Sequence, residues 1–186
     1  KGEEIVMVRF HDEGADPLIF DDELSEIYAT LKKQFPDAWI GLESVSDNLS
    51  RAVVSVSSPK IPGALYVYDA EKRELAAFRQ QYPGLAADEL AEVYAIEYPA
   101  RDGLTIPAYL TLPHGLSPKS ARKLPFVVLP HGGPHARDFR RFDWMAQMLA
   151  NQGYGVMQMN FRGSTGYGIA FEKAGRKRWG DAMGND

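Results

Sequence analysis

Cysteine is absent from all 186 residues. Its absence excludes disulfide staples, thiolate metal ligands and a cysteine nucleophile within this stretch, and leaves the compartment undecided. No apolar run approaches the roughly 18–20 residues of a membrane-spanning helix. Nor does a basic segment lead into a short apolar one, as in a secretory signal. The chain opens on Lys-Gly-Glu-Glu without a methionine, so the natural amino terminus is expected to lie elsewhere. Neither sign of charge dominates: 21 Lys and Arg against 25 Asp and Glu give −4. That balance argues against nucleic acid or an anionic membrane as partner. The G-x-S-x-G nucleophile elbow is also missing.

What is present divides into two kinds of pattern. Residues 1–85 read as short strands separated by turns: 5–10, 39–45, 51–57 and 64–69, with Asp47-Asn48 and Pro62-Gly63 as turn chemistry. One helix interrupts them over 21–34, where Leu24, Ile27, Tyr28 and Leu31 share a face and Pro36 lies beyond the end. Residues 71–80 read as a turn followed by a strand at 74–78. This spacing predicts a meandering antiparallel sheet, such as a sandwich or a propeller blade. Residues 82–88 read as a linker.

Residues 86–186 follow a different grammar. Strands at 93–98 and 105–112 flank the turn at 100–103 and predict a hairpin. The unalternating run 126–129 predicts a buried strand. A helix is expected over 142–152, with Met145, Met148 and Leu149 on its inner face and Gly153 as its stop. A strand over 154–160 and a helix over 167–178, ended near Gly175, follow. Strand–helix–strand with short connections predicts a parallel, doubly covered sheet, hence an α/β fold class.

Two loops carry the candidate chemistry. The first, LPHGGPHA over 129–136, runs from an apolar strand into adjacent glycines. Backbone amides freed at such a point can stabilise a developing oxyanion, and in α/β-hydrolases a His-Gly-Gly loop after an early strand does so. The second, NFRGSTGYG over 160–168, is neither the G-x-G-x-x-G of a dinucleotide site nor a nucleophile elbow. Ser164 therefore reads as a turn former bonding nearby backbone. Arg162 is placed to pair with a carboxylate, with structural pairing and substrate contact both open, and Tyr167 is the other candidate substrate-binding residue.

Several alternatives are weaker. His131 and His135 are four apart, but Gly-Gly-Pro between them precludes a helix and no acidic ligand follows, so no metal site and no cofactor are expected. His11 and His114 read as solvated. The basic run at 173–178 sits beside Glu172 and Asp181 and reads as a solvated helix face, with Phe171 and Trp179 anchoring it.

Taken together, PGALYVYD at 62–69, YPARDGLTIPAYLTLP at 98–113, LPHGGPH at 129–135, MNFRGSTGYG at 159–168 and RWG at 178–180 resemble the prolyl oligopeptidase family of serine peptidases. The resemblance points to the acylaminoacyl-peptidase branch and its bacterial dipeptidyl-peptidase-like relatives. The resemblance implies that 1–85 end a β-propeller and that 86–186 begin an α/β-hydrolase domain. It also implies that Gly133 supplies an oxyanion-hole amide, with His131 and Gly132 shaping the loop. Other branches place a tyrosine hydroxyl in that hole; this loop has none. The family's serine, aspartate and histidine would all lie downstream of Asp186. The intact protein is then expected to cleave short peptides and the 186 residues alone to be inactive, associating or folding poorly. The partners implied are a short peptide and the remainder of the hydrolase domain, with homo-oligomerisation left open. An α/β-hydrolase esterase and a non-catalytic interaction module on the same scaffold are the rival readings.

Overall fold

The computed structural model describes residues 5–10 and 15–186, and comprises a small two-stranded sheet and two four-stranded ones. His11 lies outside the described residues. Strand β1 (Met7–Val8) pairs with β2 (Leu18–Ile19), so only the middle of the expected strand at 5–10 is in a ladder.

Helix α1 (Asp22–Gln34) starts where the Asp21 side chain accepts from the Leu24 amide, with Asp22 and Glu23 in its first turn and Lys32 and Lys33 in its last. Both placements complement the helix dipole. Its buried stripe is Leu24, Ile27 and Leu31, at the predicted spacing. The stripe packs on an antiparallel meander of β3 (Trp39–Val45), β4 (Arg51–Ser58), β5 (Ile61–Asp69) and β6 (Glu74–Gln80). Strand β4 alternates buried and half-buried residues, and its Ala52, Val54 and Val56 join Ile40 and Tyr68 beneath the helix. That period-2 alternation is what a sheet with one covered face requires.

Pro62-Gly63 does not form a turn. The turn falls at Pro59-Lys60, and Pro62 and Gly63 lie inside β5. Between the pairs Val56–Ala64 and Ser58–Ile61 the β5 side carries one extra residue, a bulge that accommodates a proline without an amide proton.

The second sheet contains β7 (Val93–Pro99), β8 (Thr105–Thr111), β9 (Phe126–Val128) and β10 (Gly155–Met159), in the order β7-β8-β10-β9. The hairpin β7–β8 is as predicted, and β9 runs parallel to β10. The sheet is mixed, however: β8 runs antiparallel to both β7 and β10. Helix α2 (Trp144–Asn151), capped by Asp143, and helix α3 (Ile169–Ala174) lie on opposite faces. Gln158 borders a cavity with Asp143, Trp144 and Met145 at the start of α2, whereas its neighbour Met159 packs near Phe171 of α3.

Three further expectations are corrected. Strand β9 is at the edge of the sheet rather than inside it, with Phe126 and Val128 each more than half exposed. The inner stripe of α2 is Ala146, Gln147 and Ala150, not Met145, Met148 and Leu149. Small residues let the helix sit close to the sheet, and Gln147 is tied down by two bonds with the Ala91 backbone. Trp179 is 68% exposed and anchors nothing, while Phe171 does pack on the core.

The linker at 82–88 ends in a short turn of 3₁₀ helix, Ala87–Glu89. Across it the two larger sheets are joined by Lys60 to Glu92 at 3.0 Å, by Tyr82 against Phe142 at 5.0 Å, and by the Arg141 guanidinium 4.0 Å over the Trp39 ring. No helix among the described residues is long and apolar enough to cross a membrane.

Candidate active site

Both glycine loops leave the carboxyl ends of the parallel pair β9–β10. In α/β sheets that is where ligands bind, because chain reversals there splay apart and leave backbone groups unpaired. The first loop takes its shape from Gly133. Its φ is +141°, and a Cβ there would lie 2.9 Å from the His135 amide nitrogen. Only glycine meets both demands. Gly132 and Gly133 are exposed, and the Gly133 amide has no hydrogen-bond partner among the described residues.

His131 does not point outward. Its ring stacks on Phe161 at 4.4 Å and 17°, its Nε2 lies 2.9 Å from Ser164 Oγ, and its Nδ1 lies 2.8 Å from the Gly132 carbonyl oxygen. His135 turns instead toward Glu172, 3.7 Å away. The two histidines thus diverge, and no group of three His, Asp or Glu among the described residues could hold a metal ion.

Ser164 is fully buried, and its hydroxyl donates to the Phe161 carbonyl at 2.6 Å, the local turn bond expected of it. The contact with His131 superficially resembles a serine–histidine dyad. Burial rules that out, because a nucleophile must reach its substrate, and His131 Nδ1 faces a carbonyl rather than an orienting carboxylate.

Arg162 is committed internally. Its side chain is 6% exposed and its nitrogens reach Asp102 at 2.7 and 2.8 Å and Asp186 at 2.6 and 2.8 Å. Its own amide also donates to Asp186. Structural pairing therefore accounts for Arg162. The guanidinium holds the Asp102 carboxyl down at about 2, and both carboxylates push the Arg162 pKa up.

Tyr167 is differently placed. Its hydroxyl accepts from Arg137 Nη2 and from Asn160 Nδ2, both at 2.7 Å, and its ring lies 4.3 Å below the Arg137 guanidinium. It borders a cavity of about 420 Å³ with Tyr109, Arg137, Glu97 and Pro107. A second cavity of about 190 Å³ lies behind the first loop, lined by His131, Asp138, Asp143 and Gln158. Gly133 lines neither. Burial raises the Asp138 pKa, with His131 opposing and Asp143 reinforcing, and its Oδ2 has no partner among the described residues.

Sequence reasoning missed Asn160, Asp102 and Arg137. Asn160 is fully buried and stitches the two loops, accepting from the Asp138 amide at 2.8 Å and donating to the Asp138 carbonyl at 3.1 Å. An asparagine closing an apolar strand was the available signal. Nothing in a linear pattern pairs Asp102 with Arg162, 60 positions away.

Residues 140–186 match the sequence profile of the prolyl oligopeptidase family. The chain is similar to members of that family over most of its length. Among its relatives is the dipeptidyl aminopeptidase BIII of Pseudoxanthomonas mexicana, 37% identical over 138 residues, or 72% of this chain and 20% of that protein. The human acylamino-acid-releasing enzyme is 41% identical over 66 residues, covering 36% of this chain and 9% of that protein. A solved structure of a puromycin-hydrolyzing peptidase from Mycobacterium tuberculosis superposes with a TM-score of 0.61 at 26% identity. The match covers 74% of this chain and 21% of the other. Such prolyl oligopeptidase-family relatives are serine peptidases. The chain spans about a fifth of the length of the first curated relatives it matches.

Proposed function

We propose that these 186 residues contribute the oxyanion-stabilising loop to a serine peptidase that hydrolyses short peptides, of acylaminoacyl-peptidase or dipeptidyl-peptidase type. On this reading residues 1–85 are the end of a β-propeller and 86–186 the opening part of an α/β-hydrolase domain. The four-stranded meander β3–β6 supports the first assignment, and the order β7-β8-β10-β9 with loops at the carboxyl ends of β9 and β10 supports the second.

One observation carries the mechanism: the amide of the exposed Gly133 has no hydrogen-bond partner among the described residues, on a loop otherwise tied down on both sides. When a serine attacks a peptide carbonyl, negative charge gathers on the carbonyl oxygen. A preorganised amide donor lowers that barrier, and removing one such donor costs about 10²–10³ in rate. The attacking serine, its histidine base and the orienting aspartate come, on this reading, from a part of the protein outside these residues. Tyr167 is read as lining a substrate path, and its position at the rim of the larger cavity supports that reading.

The test is to treat the full-length protein containing this chain with a fluorophosphonate and locate the adduct by mass spectrometry. One modified serine outside residues 1–186 is expected, together with hydrolysis of an N-acylated peptide or a dipeptidyl anilide. Gly133→Ala should lower kcat by about 10²-fold, because a Cβ at that φ reorients the amide. An adduct on Ser164, or none anywhere, would overturn the proposal.

A further inference from the structure

Both glycine loops converge on one buried hydroxyl, and that hydroxyl bears on the direction of the Gly133 amide. The Gly132 carbonyl and the Gly133 N–H belong to one peptide unit, which is planar, so fixing the oxygen fixes the hydrogen on the opposite side. Gly132 oxygen can only accept, so His131 Nδ1, 2.8 Å away, donates to it. At the other end of the ring, Nε2 shares a hydrogen bond with Ser164 Oγ at 2.9 Å. With the ring proton on Nδ1, Nε2 accepts from the Ser164 hydroxyl, whose single proton the Phe161 carbonyl at 2.6 Å also attracts. The stack on Phe161 sets the ring's tilt.

Ser164 can act as the fixed point because its own surroundings are locked. It is fully buried, its hydroxyl and amide both bond the Phe161 carbonyl, and the next amide, Thr165, donates to Ala136 at 3.0 Å across to the first loop. Two residues before it, Arg162 is clamped by Asp102 and Asp186.

We infer that Ser164 is a positioning residue for the Gly133 amide, acting through His131 on the Gly132–Gly133 peptide plane. The inference rests on the reading that this amide serves the oxyanion. A hydrogen-bond donor displaced by about 1 Å from the reacting oxygen forfeits much of its effect, on the order of tenfold to a hundredfold in rate.

The experiment is a double-mutant cycle in the full-length protein, with Ser164→Ala, His131→Phe and the pair. His131→Phe keeps an aromatic ring to stack on Phe161 but loses both nitrogens. Each single variant should lower kcat at least tenfold with KM within about twofold. The double variant should lose no more than the worse single one, because both cut the same link. If Ser164→Ala is too unstable to assay, His131→Phe carries the test through the same split between kcat and KM. Parental kcat in either variant overturns the inference. So do losses that multiply in the double variant, or a loss confined to KM. A parent protein that turns over no peptide and takes no fluorophosphonate would instead defeat the peptidase reading, so the two failures are told apart.

Discussion

The Arg162 side chain illustrates how much one buried cation can organise. It joins the β7–β8 turn through Asp102, the loop after β10 through its own backbone, and the last residue of the chain through Asp186. Asp186 is wholly buried at its side chain while Asp102 is half exposed, so the two carboxylates are not equivalent. Removing the arginine leaves a buried carboxylate without its counter-charge, a change that typically costs about 3 kcal/mol or more. The acid limb has a definite sign. The Asp102 carboxyl is held at about 2, below its ordinary 3.8. Its contribution to stability is present above about 3.8 and is lost as pH falls through about 2. Asp102→Asn should therefore melt below the parent at pH 6, and the gap should close as the pH is lowered from 4 to 2. Thermal melts of both across that range test this; a gap that stays constant, or widens in acid, contradicts it.

At the scale of elements, most of the regular structure was legible because period and capping agree. Asp21 ahead of Asp22 and Glu23, then Leu24, Ile27 and Leu31, predict the start and the buried face of α1, and the structure has both. Strand β4 alternates as a half-covered strand should. The misreadings of β9 and α2 share one cause, namely that burial depends on neighbours far away in sequence. The run Phe126, Val127, Val128 has the composition of a strand covered on both sides, yet it lies at a sheet edge. In α2 the methionines look inward-facing by hydrophobicity, but the close approach to the sheet selects Ala146 and Ala150. The candidate loops were visible as glycine clusters, whereas the bonds that hold them, from Ser164, Asn160 and Asp102, are long-range, and only Asn160, closing an apolar strand, left a linear trace. Helix α3 provides a test at this scale. Gly175, at its end, abuts the second loop so closely that a Cβ there would lie 2.7 Å from the Gly163 Cα. Backbone on the receiving side cannot rotate away as a side chain can. Gly175→Leu should cost about 1–3 kcal/mol by overpacking and shift the loop amides in a ¹⁵N spectrum. An unchanged melting temperature and spectrum would show that α3 and the loop are not packed as described.

The two larger sheets of the molecule differ in how completely they are covered. The meander β3–β6 carries α1 on one face and closes a core around Leu31, Val54 and Val56, all fully buried. The second sheet ends on β9, whose outer edge pairs with no strand among the described residues. Along that edge and the adjoining helix lie Phe126, Val128, Trp144 and Met148, each about half exposed. An unprotected strand edge offers unpaired amides and carbonyls as a template for another chain, and the apolar side chains beside it favour such a contact. Net charge of −4 supplies little repulsion to oppose it. The 186 residues expressed alone should therefore self-associate, with mass by light scattering rising with concentration in the micromolar range. Val128→Lys, which puts a charge on the open edge as natural edge strands do, should return the chain toward the monomer mass without lowering its helix content. A chain that stays monomeric at every concentration, with a single cooperative melt, would mean that this edge is covered in solution. An association that Val128→Lys leaves untouched would place the contact elsewhere, on the exposed Phe78 of β6 or on the Phe20 region beside β2.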